Sequence, residues 1–269
     1  MFVVRDSSLI IQGWKGLKSL LRTFSQLKKF KIYYMLEKQS YRIQQFGVLL
    51  SLLRDRQTFL EEISQGVRLQ SKISALFVTS SIFFAIYGAI IGASHSPHQA
   101  LSGAIKLPAF YLLTLIICFP TLFFFNVLFG SRSSIQQHFV ILLTAVSVIS
   151  VLLFSLAPVT LFFMITAPDS YQFFKLLNVL IFGITGIFGV KFLYEGMQLL
   201  SQQDEVGKKT RTTILRSWLF LYAFVGMQLG WFLRPFFGAP DSKFELFRAV
   251  KGNLYLDLAQ AISEIFGFR

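Results

Sequence analysis

His95 and His98 stand three residues apart, a spacing that can bring two imidazoles to one metal ion. A zinc centre needs three or four such ligands, and no third or fourth accompanies this pair, so no metal site is expected. Lys191 and Glu195 lie one helical turn apart, where they could form an ion pair at a helix end or, in a gating role, handle a proton. His138 opens an apolar run, where a polar residue needs no special role. The lone cysteine, Cys118, falls inside another such run, which excludes an internal disulfide and a cysteine-pair metal site. The chain has no Gly-rich loop followed by Lys-Ser/Thr, no dinucleotide fingerprint and no Gly-x-Ser-x-Gly elbow. No catalytic residue and no cofactor are assigned, and an intramembrane enzyme lacks a catalytic pair.

The elements that carry these residues are set by hydropathy. Hydrophobic residues make up 54% of the chain and charged ones 14%, against about 25% charged in an ordinary soluble domain. Five windows hold no Asp, Glu, Lys or Arg: 73–105, 107–131, 133–168, 176–190 and 217–233. About 20 apolar residues in a helix cross the roughly 30 Å hydrocarbon core of a bilayer, and lipid forces every backbone polar group to pair within its own segment. The expected fold is therefore all-α, an integral membrane helical bundle with about five transmembrane helices near 73–93, 107–129, 139–165, 175–195 and 214–233. The first window should break at Gly92, Ser94, Pro97 and the two histidines, giving an outer loop over 94–106. The third contains Pro158 and reads as one kinked crossing. Counts of four or six crossings stay open.

Positive charge gives orientation. Residues 1–72 carry 13 Lys/Arg against 5 Asp/Glu, and Lys208, Lys209, Arg211 and Arg216 follow the fourth window. Both belong on the cytoplasmic side by the positive-inside rule, which puts the N-terminus in the cytoplasm and, with five spans, the C-terminus outside. Much of the +13 net charge is explained this way, and no nucleic-acid-binding motif accompanies it. No nucleic-acid partner and no cleavable signal peptide are expected. The chain thus divides into a basic cytoplasmic region 1–72, a five-span domain 73–233 and an exocytoplasmic tail 234–269.

The region 1–72 reads as cytoplasmic amphipathic helices. Over 9–30, Ile10, Trp14, Leu17, Leu21, Phe24 and Leu27 recur at helical spacing, with Lys15, Lys18, Arg22 and Lys29 around the wheel. That pattern suits a helix lying on an anionic membrane surface, with Trp14, Lys15, Lys18, Arg22 and Lys29 as the contact residues; it also suits a helix packed on a cytoplasmic neighbour. A second periodic stretch, from Phe46 to Ile63, should lead into the first span. After the last span, Pro235, Gly238 and Pro240 close the helix, and residues 254–265 suit a short interfacial helix.

Within the spans, Thr114, Asn126, Thr144, Ser147, Ser150, Asn178 and Gln228 read as interhelical hydrogen bonders. The small-residue pairs Gly88 with Gly92 and Gly226 with Gly230, and the series Gly183, Gly186 and Gly189, read as helix-packing positions, either within the chain or against another subunit. The partners expected are the lipid bilayer and a membrane protein or a second copy of the chain. The leading functional expectation is a non-catalytic protein that organises or assists a membrane complex. A small-solute permease would instead need a hydrated path lined by Asn126, Asn178 and Gln228. A lipid- or pigment-binding role would account for the 32 Phe residues, which lipid contact explains equally.

Four stretches carry a family resemblance: Ile105-Lys106-Leu107-Pro108 with Ile117-Cys118-Phe119-Pro120-Thr121-Leu122-Phe123; Asn126-Val127-Leu128-Phe129-Gly130-Ser131; Lys175-Leu176-Leu177-Asn178-Val179; and Trp231-Phe232-Leu233-Arg234-Pro235-Phe236-Phe237-Gly238. Over roughly 73–250 the chain is similar to bacterial, including cyanobacterial, membrane proteins grouped with the Yip-domain family. The resemblance implies five spans, a cytoplasmic N-terminus and a non-enzymatic role beside other membrane proteins. The long tail departs from the short one typical of that family. A cell (inner) membrane is expected, and a thylakoid membrane satisfies the same constraints.

Overall fold

The computed structural model describes residues 46–167, 170–201, 208–234, 236, 246–247 and 263. The surface stretch with Trp14, Lys15, Lys18, Arg22 and Lys29, and most of the tail, lie outside the described residues. All regular structure among the described residues is helical: α1 over 46–54, α2 Arg56–Ser64, α3 Leu69–Ala93, α4 Pro97–Leu128, α5 Ile135–Thr166, α6 Tyr171–Ser201 and α7 Lys208–Phe232. Four of these, α3 to α6, are long and apolar enough to cross a membrane. At about 1.5 Å per residue, the 32-residue helices α4 and α5 reach beyond a 30 Å core at one end or both. The fifth expected span corresponds to α7, which has the length, but Ser, Trp, Tyr, Gly and Gln dilute its apolar run.

The outer loop expected over 94–106 is instead three residues, 94–96, followed by the first turns of α4. Ser96 caps that helix by accepting the Gln99 N–H, and Pro97 occupies the first turn, where its missing N–H would have no partner anyway. Ser-Pro is a helix start as much as a loop signal, and Lys106 therefore sits within a helix. The third window is one continuous helix through Pro158.

α3 is the centre of the bundle, packing along α4 and along α5; α6 packs along α5 and α7 along α4. The α3–α4 seam is the tightest. A Cβ placed on Gly88 would overlap the carbonyl oxygen of Gly103, one on Gly103 would overlap that of Gly88, and one on Gly92 would overlap that of Gln99. Only glycine permits backbones this close, and in lipid such packing is a main source of helix association. α4 ends in a Schellman close: Ser131 N–H donates to the Asn126 carbonyl at 2.9 Å and Gly130 N–H to that of Val127 at 3.0 Å. Gly130 takes φ +84°, a conformation that costs other residues energy.

α1 and α2 cover one end of the bundle rather than standing apart. Leu49, Leu52, Phe59, Leu60 and Ile63 join the same buried cluster as the spans. Gln137, in the first turn of α5, donates from Nε2 to the terminal α2 carbonyls of Ile63 (3.1 Å) and Ser64 (2.7 Å), while its Oε1 accepts the Ser134 N–H. One side chain thereby caps two helix ends. Asp55 separates α1 from α2 as the N-cap of α2. Its carboxylate accepts from the Thr58 hydroxyl (2.7 Å) and amide (3.2 Å), bonds that hold it below the usual carboxylate range. A depressed acid stabilises the fold above its unfolded pKa and loses that contribution as pH falls through the folded pKa. Asp55→Asn should thus keep the α2 cap and flatten the acid limb of a stability profile; an unchanged acid limb would show that the cap carries no linkage.

Between α2 and α3 the chain turns through Gly66 at φ +77° and Arg68 at φ +50°. Arg68 pays for a left-handed backbone that suits glycine, at a cost of roughly 1 kcal/mol or more. Arg68→Gly should therefore raise stability by up to about 1 kcal/mol in a denaturant titration in detergent. Loss of stability would mean that its side chain holds the turn. Beyond it, Lys72 is buried with its Nζ 2.7 Å from Glu62 Oε2 and 3.3 Å from the Val67 carbonyl, above the Phe59 ring.

Candidate functional site

Inside lipid a polar side chain must find a partner, and the first within reach is the carbonyl four residues back on its own helix. Thr114 donates to Phe110 O, Asn126 to Leu122 O, Thr144 to Val140 O and Thr185 to Ile181 O. These bonds are local, whereas the sequence suggests bridges between helices for Thr114, Asn126 and Thr144; Thr185 is an addition to the expected set. Ser147 does both, donating to Leu143 O at 2.8 Å with Leu76 O of α3 at 3.4 Å. Gln228 is exposed on α7 and does not join Asn126 or Asn178.

A true interhelical cluster forms where three helices meet. Tyr87 of α3, Thr160 of α5 and Asn178 of α6 are each fully buried. The Tyr87 hydroxyl donates to Asn178 Oδ1 at 2.8 Å and lies 3.1 Å from Thr160 Oγ1. With its one proton given to Asn178, Tyr87 is left to accept from Thr160. Asn178 Nδ2 in turn donates to Phe174 O at 2.8 Å, and Phe182 meets the Tyr87 ring edge-on. Each polar tip is thus used, which is what makes a buried network rigid. The sequence had singled out Asn178 but not Tyr87 or Thr160. Tyr87 sits one residue before Gly88, and neighbours on a helix face different sides, so a polar partner for Asn178 was unmarked.

A second bridge ties α7 to α4. The Trp218 indole N–H donates to the Cys118 carbonyl at 2.9 Å, two residues before Pro120. Further along, a Cβ on Gly226 would meet Thr114 at 3.7 Å and one on Gly230 would meet Phe110 at 3.6 Å. As residue numbers rise on α7 they fall on α4, so the two helices run antiparallel. The remaining glycines separate. A Cβ on Gly189 would strike the Ile149 side chain of α5, whereas Gly183 and Gly186 on α6 have nothing within 4 Å.

The titratable residues are dispersed. Glu195 pairs with Arg56 of α2 at 2.7 Å, and Arg56 lies over the Phe192 ring at 5.4 Å; Lys191 is exposed. The pairing expected between Lys191 and Glu195 is replaced because the packing of α2 against α6 brings a guanidinium to the acid. His95 is half-buried with Nδ1 3.3 Å from Ser96 Oγ, His98 is exposed, and no group of three metal-ligating residues occurs among the described residues. His138 is buried against Phe123, its Nδ1 3.0 Å from Ser134 O. A carbonyl partner puts the proton on Nδ1 and leaves Nε2 as an acceptor. Lys106 bonds the Leu246 carbonyl and lies 4.8 Å from the Phe247 ring, while Gln99 reaches Phe236 O at 3.5 Å. Parts of the tail therefore return to α4.

These arrangements hold helices in register; they bring no acid, base and nucleophile to one accessible point among the described residues. No protein-family model, curated protein or solved structure matches the chain.

Proposed function

We propose that this chain is a non-catalytic, five-span membrane protein that organises or assists a membrane protein complex. The observation that carries the reading is the division of its polar and small residues. The intramembrane polar groups Tyr87, Thr160 and Asn178 are turned onto one another in the interior. Gly183 and Gly186 face outward on α6 among the exposed apolar residues Leu180, Ile184 and Ile187, where a helix of another protein or of a second copy can approach closely.

The fifth crossing is α7, supported by its antiparallel course along α4 from Trp218 to Gly230. The Lys/Arg bias supports a cytoplasmic N-terminus and an exocytoplasmic C-terminus in a cell (inner) membrane. Kinship with the Yip-like bacterial proteins is part of the proposal. Of the residues that carry it, Asn126, Gly130 and Ser131 form the α4 close and Asn178 belongs to the polar cluster.

The test is purification of the tagged full-length protein from its native membrane in mild detergent, with mass spectrometry of what co-migrates on sizing. A stoichiometric membrane-protein partner is expected, and deletion of residues 1–45 should weaken its recovery while leaving membrane insertion intact. Recovery of the chain alone, or only with copies of itself, would overturn the assembly reading.

A further inference from the structure

A half-open, mostly apolar cavity of ≈ 230 Å³ lies between α4 and α7. Thr121 and Phe125 of α4 form one wall, and Thr213, Ser217, Trp218 and Leu221 of α7 form the other. The indole bond to Cys118 fixes Trp218 as a flat side of it. Thr121 and Phe125 fall in the last two turns of α4, and Thr213 and Ser217 in the first three turns of α7. At about 1.5 Å per residue the lining lies about 5–20 Å along the helices from that end, which puts most of the cavity in the lipid leaflet on that side. Its volume is below the roughly 300–1,000 Å³ of small-molecule sites, which suits a single hydrocarbon segment entering from the side.

The net charge of the α7 start selects among lipids. Positions 209, 213, 217 and 221 form one i, i+4 stripe of α7, and the last three line the cavity. Lys209 continues the stripe towards the helix start, beside Lys208 and Arg211 in sequence. Arg216, three residues from Thr213, is exposed and forms no ion pair among the described residues. Asp204 and Glu205 precede them in sequence, which leaves four basic residues against two acidic ones over 204–216. A helix N-terminus adds its own positive end. An apolar slot in a helix whose start carries net positive charge is complementary to a lipid with an apolar tail and a negative head.

We propose that this cavity holds one acyl chain of an anionic phospholipid whose headgroup lies against the basic start of α7. The proposal does not depend on what partner the protein assembles with. Trp218 supplies the probe, because Trp14 and Trp231 are the other two tryptophans and can be changed to Phe in the full chain. The protein is placed in phosphatidylcholine discs containing a small fraction of either brominated phosphatidylglycerol or brominated phosphatidylcholine. Bromine quenches indole fluorescence at contact range, and Trp218 is too buried for casual contact with bulk lipid.

The brominated anionic lipid should quench Trp218 more strongly than the zwitterionic one at equal mole fraction. Arg216→Gln should weaken its apparent affinity by roughly fivefold, as expected for one basic residue near a surface. Ser217→Leu, which fills the slot, should remove the excess while circular dichroism and sizing stay unchanged. Equal quenching by the two lipids, or none by either, overturns the proposal. An anionic excess that survives Ser217→Leu, or an apparent affinity unchanged by Arg216→Gln, also overturns it, because charge and slot must act together.

Discussion

Gly88→Ala should destabilise the bundle by about 3 kcal/mol, the upper end of the range for overpacking a tight interior, and Gly88→Leu by more. The added Cβ would meet the carbonyl oxygen of Gly103, a backbone atom that cannot rotate away as a side-chain end can. α3 and α4 would have to separate along their seam, losing the contacts that replace the hydrophobic effect between helices in lipid. Gly103→Ala should do the same, and the two together should cost less than their sum, since the first already opens the seam. Gly186→Ala is the control. With no atom within 4 Å of its Cβ, it should be neutral or gain up to about 1 kcal/mol of helix propensity. Unfolding of the purified variants in mixed detergent measures both. Equal behaviour of Gly88→Ala and Gly186→Ala would show that α3 and α4 are not in backbone contact.

The second large effect is expected at the buried polar cluster. Tyr87→Phe keeps the ring against Phe182 but leaves Asn178 Oδ1 without its donor and Thr160 with only the 3.4 Å bond to the Leu156 carbonyl of its own helix. A stranded buried polar atom costs about 1–3 kcal/mol, and hydrogen bonds measured between membrane helices reach about 1.7 kcal/mol, so a loss of 1–2 kcal/mol is expected. Asn178→Leu removes the acceptor, and the Tyr87→Phe/Asn178→Leu double variant should be no worse than the poorer single one. The coupling from the four unfolding free energies should be at least about 0.5 kcal/mol. Strict additivity would mean that α3 and α6 do not share a bond.

The sequence made the spans legible because lipid imposes one rule on every residue of a crossing. α5, Ile135–Thr166, lies within the charge-free window 133–168, and the window 176–190 lies within α6, whose ends extend past it through polar turns. Where a residue obeys two rules the reading was weaker. Ser96-Pro97 ends one helix pattern and also starts another, so α4 begins ten residues earlier than hydropathy alone suggested. Partners were the least legible part. A threonine such as Thr144 has its own Val140 carbonyl always at hand, whereas the contacts between Arg56 and Glu195 or Gln137 and Ser64 depend on how distant segments pack. Glycine spacing marks seven packing positions as two pairs and a triplet, but spacing alone does not tell the crowded Gly189 from the open Gly186.

Five crossings would place the two ends of the chain on opposite sides of one membrane. Fusing a side-specific reporter to the N-terminus in one strain and to the C-terminus in another tests this directly. A cytoplasmic signal is expected from the N-terminal fusion and an exocytoplasmic one from the C-terminal fusion. Both signals on the same side would contradict it, leaving α7 beside α4 without a crossing of its own.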